Sequence, residues 1–243
     1  FYQAGSFSLR LFSFVVAVLL FYFFLYFSKN KLSALCFSYV NMAWLGFPFA
    51  IALFGTKISP AMVALYIGGS IFGNLWAVTA VSQTPLAFSF ILKKVLCAPP
   101  MIALILALIL RSVGVQHWSQ HDLIDVIYSA AKFCMSFSGM CVLGMWLRHT
   151  KVEKADLWQS SQTALLKLAC GVVLCGLSYR YLAIPNIEQY IGVMFLLFCL
   201  PPAANIVALE THYQGTGTSA KYIASGTIIS CVVVSIYGLL LHV

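Results

Sequence analysis

Two asparagines beside prolines are the side chains of this chain best suited to hold a polar ligand. Asn41 lies in Ser38-Tyr39-Val40-Asn41-Met42-Ala43-Trp44-Leu45-Gly46-Phe47-Pro48, and Asn205 closes Leu200-Pro201-Pro202-Ala203-Ala204-Asn205. Both stretches are otherwise apolar. Proline removes a helical hydrogen bond and clashes with the preceding turn, so each stretch predicts an interrupted helix with freed carbonyls and amides. Asparagine amides can satisfy those carbonyls, and they offer donors to a carboxylate without burying a second charge. Half-helix amino termini carry partial positive charge and suit an anion. Gly46 and the Ala203-Ala204 pair allow two backbones to come close. The expected binding residues are therefore Asn41, Gly46, Pro48, Pro201, Pro202 and Asn205.

Charged residues inside apolar runs come next, because an ionisable group within a membrane is a functional candidate by default. Lys132, in Ser129-Ala130-Ala131-Lys132-Phe133-Cys134, lies deep in its run, roughly 14 Å from the boundary at 1.5 Å per residue. Its ammonium would attract a substrate carboxylate or stand in for a coupling cation. Lys167 and Arg180 fall near the ends of another run and are expected to reach outward to the interface. Glu210 falls inside a run, with His212 and Tyr213 beside it. The pair Glu210 and His212 is a candidate for proton movement, since histidine titrates near neutral pH. The competing reading of Glu210 is an interfacial helix cap. No carboxylate cluster marks a sodium site or a proton relay, so the sequence leaves the coupling ion, proton or sodium, open.

Other chemistry finds no support. No phosphate-binding glycine loop and no Cys-x-x-Cys spacing occurs, and Gly215-Thr216-Gly217 lacks the lysine of a nucleotide loop. His117 and His121 are four apart, but in a polar stretch that reads as solvated. The 8 cysteines fall mostly within apolar runs as small apolar residues. No metal, no cofactor and no enzyme activity is expected.

The elements that must position these residues are membrane helices. Of 243 residues, 62% are hydrophobic and 8% charged, far below the roughly 25% charged of a soluble domain. Runs long enough to cross a bilayer, about 20 residues each, fall at Phe7–Phe27, Leu32–Phe54, Pro60–Val81, Leu92–Val113, Leu123–Leu147, Thr163–Leu182, Tyr190–Glu210 and Tyr222–Leu241. The fold class expected is an all-α polytopic membrane protein with eight spans, in which the second and seventh are broken. The tryptophans lie mostly toward span ends, as interfacial aromatics do.

The net charge of +8 reads as membrane topology rather than nucleic-acid binding. Lys29, Lys31, Lys93, Lys94, Arg148, Lys151, Lys154 and Lys221 flank one side, against Arg10, Lys57, Arg111 and Arg180 on the other. Cytoplasmic loops carry the basic excess, so the first set is expected to face the cytoplasm. The broken spans then run in opposite directions. Broken helices at matching places in two halves point to a secondary transporter with its site where the breaks meet. Residues 1–81 read as the last three helices of one inverted repeat and 82–243 as a complete five-helix repeat. On that plan the first repeat lacks its opening two helices, about 60 residues.

The stretch Ser38 to Pro48 resembles the fourth helix of the auxin efflux carrier family. Leu200-Pro201-Pro202-Ala203-Ala204-Asn205, followed by Ala208, Tyr213 and Ser225 to Ser230, resembles the ninth and tenth helices of its bacterial members, and Leu143-Gly144-x-x-Leu147 also fits. The resemblance covers essentially the whole chain, as helices three to ten of ten. It implies two inverted five-helix repeats whose fourth and ninth helices cross at the substrate. Bacterial members are similar to permeases for malonate and other small organic anions, and plant members export auxin, also a carboxylate. The function expected is alternating-access transport of a small organic anion across the cell (inner) membrane. The other class considered is a membrane sensor or interaction subunit that keeps the fold without moving substrate. Expected partners are the anion and the lipid bilayer, not nucleic acid, with a homodimer left open.

Overall fold

A computed structural model describes residues 6–81, 150–182 and 184–241, with scattered positions between 97 and 148. Among the described residues every regular element is helical. In chain order they are α1 (Ser6–Ser28), α2 (Lys31–Ser38), a π-helical turn (Met42–Gly46), α3 (Phe47–Phe54), a 3₁₀ turn (Thr56–Ile58) and α4 (Ser59–Val81). After the scattered positions come α5 (Lys154–Tyr181), α6 (Ile187–Cys199), α7 (Asn205–Gln214) and α8 (Ser219–Leu241). The chain divides into two units, Phe1–Gln83 with Leu147–Val243, and Thr84–Trp146. In the second unit the described residues between 102 and 112 and between 126 and 145 are helical. Lys132 lies outside the described residues.

Four helices in the first unit are long and apolar enough to cross a membrane: Ser6–Ser28, Thr56–Val81, Lys154–Tyr181 and Ser219–Leu241. A 23-residue helix such as α1 is about 35 Å long, against a hydrocarbon core of about 30 Å. On α1, Leu9, Phe12, Val16, Leu20 and Phe21 are buried, a stripe at helical spacing. The opposite stripe, Leu11, Val15, Leu19, Tyr22 and Tyr26, is apolar and exposed. α8 repeats the arrangement with exposed Ile228, Val232, Ile236 and Leu239. A long helix that is apolar all round is a membrane span rather than the surface helix of a soluble domain. The chain is membrane-embedded.

The most buried elements are the interrupted ones. Ala34, Leu35, Val193, Met194, Leu196 and Ile206 are wholly inaccessible. α1 packs on α2 and α4, α5 packs on α6 and α8, α7 packs on α4, and α8 reaches α2. Irregular backbone is tolerated in lipid only where protein covers it, and the long helices supply that cover.

One boundary differs from the sequence expectation in a way that matters. α5 begins at Lys154, nine residues before the apolar run at Thr163. Its start is fixed by reciprocal capping: the Glu153 N–H donates to Asp156 at 2.9 Å, and the Glu153 side chain accepts in return. Lys167 thus sits at the middle of the helix, 5% exposed. It does not reach the interface as its place near the end of an apolar run suggests.

Candidate functional site

The first break is built from Ser38 to Gly46. The Ser38 hydroxyl folds back on the Ala34 carbonyl at 2.9 Å as α2 ends. Tyr39 is extended (φ −95°, ψ 108°). The chain re-enters helix at Asn41, whose Oδ1 accepts the Trp44 N–H at 3.2 Å as an N-cap. The Asn41 carbonyl accepts the Gly46 N–H at 3.0 Å, the wide i→i+5 bond of a π turn. Pro48 enters just inside α3, where a missing N–H costs least. It follows the break rather than forming it, and it faces outward.

The second break spans Leu200 to Ala204. α6 ends at Cys199 and Leu200 is extended (φ −79°, ψ 147°). The carbonyls left free are taken by side chains of neighbouring helices. The Ser230 hydroxyl donates to Cys199 at 2.5 Å, and the Lys167 ammonium donates to Leu200 at 2.8 Å. Pro202 packs against α8 at Gly226, where an added Cβ would lie 3.0 Å from the proline ring. α7 resumes at Asn205.

The two breaks are joined to each other by backbone. Val40 and Pro202 form an isolated antiparallel bridge. The Asn41 N–H donates to the Pro201 carbonyl at 2.9 Å, and the Ala203 N–H donates to the Tyr39 carbonyl at 2.9 Å. Each interruption therefore satisfies polar groups freed in the other, which water cannot do in a bilayer. Gly46 lies against the same junction: a Cβ there would fall 2.9 Å from the Leu200 side chain.

A cavity of about 250 Å³ adjoins the junction, walled by Tyr39 to Trp44, Tyr66, Gly69, Ser70 and Ala203 to Asn205. Both asparagines are in that wall. The Asn205 amide donates to the Tyr39 hydroxyl at 3.1 Å. Asn41 is 3% exposed, and its Nδ2 has no hydrogen-bond partner. A buried amide nitrogen left unpaired costs about 1–3 kcal/mol, so this donor is free for a ligand. The starts of two helical segments, at Met42 and Asn205, also open on the cavity, adding partial positive charge. Among the described residues no basic side chain lines it. The arrangement can bind a small polar or anionic group through neutral donors.

The remaining expected residues are placed elsewhere. Pro201 and Pro202 line a separate cavity with Lys167. Glu210 is fully buried and accepts from Thr216 Oγ1 at 2.7 Å, Thr218 N at 2.8 Å, Thr218 Oγ1 at 2.6 Å and Ser219 N at 2.8 Å, and from the Ser219 hydroxyl. Both carboxylate oxygens are thus committed at the start of α8. His212 is exposed, edge-on to Tyr213 at 4.9 Å.

Tyr39, Tyr66, Ser70 and Lys167 join the crossing without having been expected there. Trp44 lines the cavity instead of marking a membrane interface. For Lys167 a signal existed: no glycine or proline interrupts Lys151 to Cys170, so nothing stops a helix before the apolar run. Among the described residues no group of His, Cys, Asp and Glu could hold a metal ion. The fold and site define an all-helical, membrane-embedded protein with two interrupted segments joined at their breaks. The chain matches no family model, no curated protein and no solved structure in the comparisons made.

Proposed function

We propose that this chain is a secondary transporter of a small organic anion, working by alternating access around the joined breaks. The observation that carries the reading is the unpaired Nδ2 of buried Asn41 in a cavity walled by both interruptions. In transporters of this plan, broken helices meet at the substrate and half-helix amino termini face its anionic groups. The backbone bonds between Tyr39, Asn41, Pro201 and Ala203 form a compact crossing about which the surrounding helices move. The reading includes eight spans in this chain, inverted five-helix repeats, kinship with the auxin efflux carriers and a place in the cell (inner) membrane. The reading keeps Lys132 as the candidate positive charge for the anion that the sequence suggests, and a proton or sodium ion as the coupled species.

The test is uptake of labelled malonate by full-length protein in proteoliposomes, beside equilibrium binding in detergent. Saturable uptake that falls in Asn41→Ala supports the reading. Saturable binding with no uptake in either direction points instead to a sensor that keeps the fold. Neither binding nor uptake of any small carboxylate overturns both.

A further inference from the structure

Lys167 lines a cavity separate from that of the asparagines, near the middle of α5 and about 20 Å from either helix end. It is 5% exposed. An ammonium has three donors, and one goes to the Leu200 carbonyl at 2.8 Å. Among the described residues the ion pair formed is Lys221 with Asp156 at 4.0 Å, so no carboxylate there answers Lys167. The carboxyl end of α6, which Leu200 follows, presents about half a negative charge at most. An ammonium held there by one carbonyl needs a countercharge, because a buried charge is costly unless paired.

The space around Lys167 is a cavity of about 150 Å³, where a single water needs about 10–15 Å³. Among the described residues its wall shares none with the asparagine cavity. The wall includes Ser33, Tyr222 and Thr163. The Thr163 hydroxyl donates to the Gln159 carbonyl at 2.8 Å, whereas those of Ser33 and Tyr222 donate to no described group and are free. Gln159, also in the wall, is exposed and lies eight residues before Lys167, about 12 Å along the helix. The cavity therefore reaches the surface. Exposed Lys29 follows the wall residue Ser28 in the chain, and exposed Lys31 lies two residues before the wall residue Ser33; positive charge near a cavity raises the local concentration of anions.

We infer that this cavity is a second site, for a small monovalent anion bound by the Lys167 ammonium with the Tyr222 and Ser33 hydroxyls. The anion supplies the missing countercharge and secures Lys167 at the Leu200 carbonyl, which ties occupancy of the cavity to the second break. Halide and carboxylate share this chemistry. The site does not depend on transport at the asparagine cavity.

The test uses full-length protein in detergent at neutral pH. Sodium chloride or sodium acetate replaces sodium gluconate, a bulkier anion, at constant ionic strength, and the melting temperature is followed. A ligand of the folded state raises it saturably. The expected result is a saturable rise with chloride, acetate or both. A response to chloride alone identifies an inorganic ion, and one to acetate alone a carboxylate. Lys167→Met weakens the response by about tenfold or more, and Lys167→Arg restores part of it. If Lys167→Met does not fold, Tyr222→Phe, which removes one hydroxyl, is required to weaken the response. No saturable response in the wild type overturns the site, as does an undiminished response in Lys167→Met or, in its place, Tyr222→Phe. Loss of the transport reading would leave the anion response intact, so the two failures are distinguishable.

Discussion

The Asn41 N–H and the Pro201 carbonyl are 2.9 Å apart, which joins two interruptions that lie in distant parts of the chain. Backbone bonding here frees the Asn41 side chain for other work. Its Oδ1 caps the π turn at Trp44, and its Nδ2 is left without a partner. One residue thus closes a break and offers a donor to the cavity beside it.

Two substitutions separate those roles. Asn41→Asp keeps an acceptor for the Trp44 N–H but replaces the free donor by a carboxylate oxygen. Asn41→Ala loses both, with about 1 kcal/mol of capping. Both variants are expected to lose anion affinity by about tenfold to a hundredfold, and Asp the more because like charges repel. Melting in detergent is expected to fall more for Ala. Unchanged affinity in Asn41→Asp would remove this amide from the site.

The Tyr39 hydroxyl and the Asn205 amide, 3.1 Å apart, should behave as one unit. Tyr39→Phe and Asn205→Ala are each expected to weaken anion binding several-fold, or about 1 kcal/mol. The double variant should lose less than the sum, with a coupling of at least about 0.5 kcal/mol. A double-mutant cycle on equilibrium binding measures it. Strict additivity would mean that the two side chains serve the site separately.

What could be read beforehand follows from which features leave local marks. Proline and asparagine within apolar runs pointed to both interruptions, but only at the second does a proline, with its missing N–H, stand in the break itself. The apolar runs announced the long helices in the same way. The pairing of Val40 with Pro202 leaves no such mark, since a backbone bridge uses no side chain. Lys167 was misplaced because the first turns of α5, Lys154 to Gln162, are polar, and apolar length measures the bilayer rather than the helix. Pro48 was credited with a break that Tyr39 and Asn41 make, since the proline lies within the first turn of α3.

Orientation is tested on the short connection before α5. Lys151 is exposed there, and on the proposed topology, read from the basic excess, it faces the cytoplasm. In a variant stripped of native cysteines, Lys151→Cys should resist an impermeant thiol reagent added to intact cells. Lys57→Cys, exposed in the 3₁₀ turn at Thr56–Ile58, should react readily. The reverse pattern would invert the protein in the membrane. Labelling of both positions would count against the proposed opposite directions of the two interrupted segments.

Glu210 is where structural and coupling roles give opposite results. Its carboxylate takes donors from Thr216, Thr218 and Ser219 and is wholly inaccessible. A donor set this complete favours a carboxylate that holds the start of α8. Glu210→Gln turns one oxygen into a donor that faces other donors, and it removes the charge that strengthened each bond. The expected cost is about 1–3 kcal/mol per bond left unmade, seen as a lower melting temperature. Transport by the protein that remains folded should keep its wild-type dependence on external pH. A coupling carboxylate predicts the contrary, because its neutral amide mimics the protonated form and uncouples uptake from the proton gradient while sparing stability. Glu210→Gln protein with an unchanged melting temperature and pH-independent uptake would therefore move Glu210 from the fold to the mechanism.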